Sequence, residues 1–185
     1  MPFAYYDNLS AARQRIYRKS DAIVTLGLPA GLALGDDVQA LDEALKADQR
    51  DAVQTVCQRI IDRLVAGYHV PKIRVRVLAR RPADGSGELH GLYEPEDGAT
   101  IARISVWMRT AQKKNVVAFK TFLRTLIHEL CHHLDYELFA LEETFHTEGF
   151  YKRESTLVAA LIGQRAAPGS AGNAAIAGEV TSRRG

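Results

Sequence analysis

The chain has 185 residues, 46% hydrophobic and 25% charged, and its 24 basic and 22 acidic side chains leave a formal charge of +2. That length suits one domain with a core of its own, the ordinary apolar content excludes a wholly disordered chain, and no run approaches the ~20 apolar residues that cross a bilayer. Cys57 and Cys131 are too few for a disulfide framework. The early residues are polar where a secretory leader is apolar, so a cytoplasmic protein is expected.

From about Asn8 to Leu26, apolar residues recur at helical spacing, with Asp7 or Ser10 placed to cap. Leu28-Pro29-Ala30-Gly31 interrupts the pattern. A second helix is expected from about Asp37, with Val38, Leu41 and Leu45 on one face, and a third carries Val53 to Leu64 and stops at Gly67. After Pro71 the period changes to two. Lys72 to Leu78 alternates basic and apolar residues, Glu88 to Glu94 follows a turn at 83–87, and Thr100 to Met108 follows another at Pro95-Glu96-Asp97-Gly98. Three strands joined by short turns predict an antiparallel meander.

From about Asn115, Val116, Phe119, Phe122, Leu123, Leu126, Ile127, Leu130, Leu134 and Leu138 mark one broad apolar face, expected of a long buried helix. A connection over about 142–149 leads to a last helix from about Phe150 to Gln164. The remainder, 166–185, is rich in Ala, Gly and Ser and reads as a frayed tail. This order predicts a single α+β domain over 1–165, with a helical part at 1–68 and a core at 70–165.

Four of the six histidines, His128, His132, His133 and His146, fall within 19 residues. His128-Glu129-Leu130-Cys131-His132 is a His-Glu-x-x-His motif on the long helix. Residues four apart project from the same face one turn apart, so both imidazoles can reach one ion. Glu129, about 100° round the helix, stays off the ion but within reach of a proton on its water. A catalytic zinc needs a third protein ligand and one open position. His146, Glu142, Glu143, Glu148, Glu154 and Asp135 are the candidates, with Asp135 better suited to orienting a ligand than to being one.

The motif, followed by His146-Thr147-Glu148-Gly149-Phe150-Tyr151, resembles the SprT-like zinc metallopeptidases over roughly residues 70–165. Cys131 matches that family's cysteine within the motif, and Phe150-Tyr151 match its aromatic pair. The chain departs at Thr147, where the family usually has Gly, and no Cys follows Cys131 to build the zinc ribbon of some members. The resemblance implies His146 as third ligand, one catalytic Zn2+, and a zincin-like fold with a small sheet packed on the metal helix. It also implies an edge strand that binds an extended peptide by strand addition. Thr100 to Met108, immediately before the metal helix, is the expected edge.

On this reading the chain hydrolyses peptide bonds in a protein or peptide substrate, with Glu129 as general base. Tyr136, Tyr151 and His133 are the candidates to hold the oxyanion. The alternatives are a non-catalytic zinc-stabilised binding module, or a regulatory or DNA-associated protease with a narrow substrate. The basic row Lys72, Arg74, Arg76, Arg80 and Arg81 reads first as a solvated sheet face and only weakly as a nucleic-acid surface. Trp107 reads first as core, and His69 and His90 as structural or exposed. Arg153 reads equally as a partner of an acidic side chain such as Asp135 or Glu148 and as a plain surface charge. No membrane partner is expected, and oligomeric state is not legible.

Overall fold

The computed structural model describes residues 3–84 and 87–165, so the expected tail over 166–185 lies outside the described residues. Helix α1 (Ala11–Ala22) follows a short 3-10 turn at Tyr6–Asn8, and its cap is Ser10, whose side chain accepts from the Arg13 N–H at 3.3 Å. Helices α2 (Gly35–Lys46) and α3 (Arg50–Tyr68) bury the expected apolar faces, and α3 ends where His69 turns left-handed at φ 59°. Strand β1 (Arg74–Arg80) precedes a small hairpin of β2 (Ala83–Asp84) and β3 (Gly87–Glu88). Strands β4 (Gly91–Glu94) and β5 (Arg103–Arg109) then lead to the long helix α4 (Phe119–Glu137) and to α5 (Glu148–Gln164). The described chain is thus α+β, with five helices and a small three-stranded mixed sheet. Among the described residues no helix is long and apolar enough to cross a membrane.

The sheet is not the expected meander. Its order is β1-β5-β4, with β5 parallel to β1 and antiparallel to β4. The short turns mislead because the segment Glu88 to Glu94 is divided: Gly87–Glu88 pairs only with Ala83–Asp84, and Gly91–Glu94 alone joins the sheet. Strand β5 therefore inserts between the other two, and the expected edge, Thr100 to Met108, is the centre. The edge beside α4 is β4. Trp107 is buried at 7% exposure, as core.

Each outer edge of this sheet has its own chemistry. The Arg74 N–H donates to the Ala102 carbonyl at 2.9 Å, so β1 turns its even-numbered main-chain groups to β5 and its odd-numbered groups outward. Two glutamines of α3 occupy those outward groups. Gln58 donates to the Ile73 carbonyl at 3.0 Å and accepts from the Val75 N–H at 2.8 Å. Gln54 donates to the Val75 carbonyl at 2.9 Å and accepts from the Val77 N–H at 2.7 Å. The same parity turns Arg103 and Ser105 toward β4, where Glu94 and Leu92 stand opposite them. Gly91 and Tyr93 thus turn their main-chain groups away from β5, on an edge with no strand beside it among the described residues, and there the Tyr93 N–H meets the Glu129 carboxylate.

The main core lies between the sheet and α2, α3, α4 and α5, and α4 gives it Phe122, Leu123, Leu126, Ile127, Leu130, Cys131 and Leu134. A second small cluster, Ile16, Tyr17, Leu141 and Phe145, joins α1 to the connection before α5.

Candidate metal centre

His128 and His132 emerge one turn apart from the face of α4 that looks into a cleft of about 750 Å3, and His146 enters from the connection before α5. Their Nε2 atoms converge: His146 Nε2 lies 2.9 Å from His128 Nε2 and 3.1 Å from His132 Nε2. Two nitrogens bound to one tetrahedral zinc stand about 3.3 Å apart, so the spacing is close to that of a ligand set. The three side chains can hold a metal ion.

The outer nitrogens decide what the converging ones offer. His128 Nδ1 lies 2.8 Å from a Glu154 carboxylate oxygen, which can only accept, so this nitrogen carries the proton. Thr144 Oγ1 donates to Asp135 Oδ2 at 2.7 Å, and so accepts from His132 Nδ1 at 2.8 Å. Both Nε2 atoms therefore direct lone pairs at the shared point. His146, even protonated on Nε2, can donate to only one of them. A cation would resolve the clash, and Glu154, Thr144 and Asp135 keep the His128 and His132 rings aimed at the shared point.

Packing completes the aim. The buried Phe150 ring lies 5.0 Å from the His128 ring and 4.8 Å from that of His132, and Tyr151 stacks on His146 at 5.8 Å and 20°. Thr147 caps α5, its side chain accepting from the Phe150 N–H at 2.9 Å. Burial, with the neighbouring His128 and His146, brings the His132 pKa down to about 3, and burial lowers that of His146. Both are accordingly neutral, ligand-competent imidazoles at neutral pH.

The other candidates for the third ligand are engaged elsewhere or stand apart. Glu143 pairs with Arg13, Glu148 with Lys152 at 2.7 Å, and Glu154 with both His128 and Arg124. Asp135 pairs with Arg153 at 2.5 Å, both side chains being fully buried, and Glu142 is exposed. Burial raises the Asp135 carboxyl, against the pull of Arg153 and Thr144.

Glu129 is 6% exposed and lines the cleft against β4, next to the histidines and off the ligand set. Burial pushes its carboxyl up to about 7, Glu154 adds to the rise, and His128 and the Tyr93 main chain oppose it. Such a carboxylate is poised to take and return a proton near neutrality.

Of the three oxyanion candidates, Tyr136 and Tyr151 line the cleft and His133 does not. One residue past His132, it is carried round the helix to the flank. There its Nε2–H donates to the Pro71 carbonyl at 3.0 Å, and its Nδ1 accepts from the Tyr93 hydroxyl at 3.2 Å. It holds Tyr93, whose ring stacks with those of His132 and Tyr136.

Gly91, Tyr93, Arg124 and Thr144 escape the sequence reading, and His90 reaches the cleft though read only as structural or exposed. Arg81, from the basic row, is buried at 6% exposure beside Glu88, while Lys72, Arg74 and Arg76 are exposed. Comparison with protein families, curated proteins and solved structures finds no match to the chain.

Proposed function

We propose that the chain is a zinc-dependent metallopeptidase of the SprT-like kind, built on a zincin-like fold. The observation that carries this reading is the buried, proton-poised Glu129 beside three imidazoles that converge on one point. A site that only stabilised a fold would gain nothing from such a carboxylate. Three imidazole nitrogen donors at the edge of a cleft favour zinc.

Zinc supplies, when bound, the Lewis acidity that activates water and polarises a carbonyl. His128, His132 and His146 hold it, and Glu154 and the Thr144–Asp135 pair keep two of those rings aimed. Glu129 accepts the proton released as water attacks the scissile carbonyl and delivers it to the departing amine. The outward edge of β4 at Gly91 receives an extended peptide as an added strand beside the histidines. Tyr136 and Tyr151, which line the cleft, offer hydroxyl donors for the oxyanion.

The test measures zinc content and hydrolysis of denatured casein for the wild type, Glu129→Gln and His146→Ala. Glu129→Gln is expected to keep one zinc per chain and lose turnover, and His146→Ala to lose affinity. Turnover in Glu129→Gln excludes the mechanism. Full zinc affinity in His146→Ala moves the third ligand elsewhere. A wild type that binds zinc but cleaves neither casein nor any peptide is a binding module.

A further inference from the structure

His146 differs from the other two ligands in what holds it. His128 and His132 ride on a buried helix, with hydrogen-bonding partners on their outer nitrogens. His146 sits in the connection at 138–147, which forms neither helix nor strand. That connection is instead held, almost residue by residue, by a part of the chain more than a hundred positions earlier.

The contacts run in order. Arg13 grips Glu143 with two hydrogen bonds, the longer 2.7 Å, and the Tyr17 ring lies 5.9 Å from that of Phe145. The Tyr5 hydroxyl donates to the main-chain carbonyl of His146 itself at 3.1 Å. The Ser20 and Thr147 hydroxyls meet at 3.5 Å, and the Gly149 N–H donates to Asp21 Oδ1 at 2.9 Å. Gly149 lies so close that a Cβ there would stand 2.8 Å from Asp21 Cα. Beyond the connection, the buried Arg153 donates to the Ser20 carbonyl at 2.9 Å and the Ile23 carbonyl at 3.2 Å, and pairs with Asp135. Asp135 fixes Thr144, which fixes His132, so α1 bears on a second ligand as well.

We infer that residues 3–23 form a positioning clamp for the third metal ligand, setting metal affinity by fixing the main chain at Glu143, His146 and Gly149. A ligand that occupies its binding pose for only a fraction of the time weakens apparent affinity by that fraction. Tyr5 and Arg13 act at the exposed side of the clamp, outside the buried core, so they can govern that fraction with little effect on overall stability. The inference rests on the three-histidine reading but not on any reaction.

The test uses the full chain as Tyr5→Phe, Arg13→Ala and the double variant. Arg18→Ala, which removes a bond from Arg18 to Tyr6 within the segment, is the control. Zinc affinity is measured by competition with a chromogenic chelator, and thermal unfolding is followed separately in excess chelator. Each single variant is expected to weaken zinc binding about threefold and the double about tenfold, with the metal-free unfolding temperature and the control unmoved. Wild-type affinity in the double variant overturns the clamp. So does a loss of affinity matched by an equal loss of metal-free stability, since that describes a general structural role. A wild type that takes up no zinc instead overturns the three-histidine reading, and the clamp with it.

Discussion

Gly91 and Glu129 share a space that admits only one side chain. A Cβ built on Gly91 would stand 2.8 Å from both Cγ and Cδ of Glu129, closer than non-bonded atoms settle. The missing side chain of the edge strand is what lets the carboxylate lie flat between β4 and the histidines. Gly91→Ala is expected to push Glu129 aside and cut peptidase turnover about tenfold to hundredfold, with zinc content and circular dichroism unchanged. Turnover equal to wild type would show that Glu129 needs no such contact.

Two opposed titrations shape the metal-free protein. Glu129 has a folded pKa of about 7 against the ordinary 4.5, so its contribution is present in full below about 4.5 and lost as pH rises through 7. His132, brought down to about 3 from 6.5, contributes fully above about 6.5 and loses that as pH falls toward 3. In chelator, Glu129→Gln should therefore be more stable than wild type by about 2–3 kcal/mol at pH 8 and equal to it at pH 4. Denaturant unfolding at the two pH values measures this, and an equal effect at both removes the titration from the explanation.

Glu154 joins the His128 Nδ1–H to the Arg124 guanidinium through its two carboxylate oxygens. Glu154→Gln keeps the shape but gives up the charge that orients and strengthens the ligand. Zinc affinity is expected to fall about 10- to 100-fold, measurable against a chelator of known affinity. Ser155→Ala, which removes only the 3.3 Å bond from Arg124, should leave it unchanged.

Asp135 and Arg153 are a charge pair with no solvent access. Asp135→Asn leaves a buried guanidinium facing a neutral amide, and a loss of about 3–5 kcal/mol in unfolding free energy is expected. A loss below about 1 kcal/mol would mean that Arg153 finds sufficient compensation at the Ser20 and Ile23 carbonyls.

The metal helix was legible because a 3.6-residue period over Phe119 to Leu138 is a strong local signal, and the His-Glu-x-x-His spacing shares it. The Arg153–Asp135 pair was legible only as one option beside Glu148 and a plain surface charge. Strand partners were not, since alternation such as that of Arg74 to Leu78 says which face is buried but nothing about which strand lies alongside or in which direction. The division of Glu88 to Glu94 left no compositional mark, and from it came both the wrong order and the wrong edge. Thr144, Gly91 and the α1 contacts escaped for a related reason. Each acts through one polar bond or one missing atom across a long stretch of chain, where no period records it.

The glutamine pair along β1 bears on how copies of this protein can meet. A sheet with both flanks bare could pass its pattern from molecule to molecule into a ribbon without end. With Gln54 and Gln58 stoppering one flank, sheet-to-sheet growth halts after two molecules. On the peptide-binding reading, the other flank can then take a visiting chain without the risk of polymer.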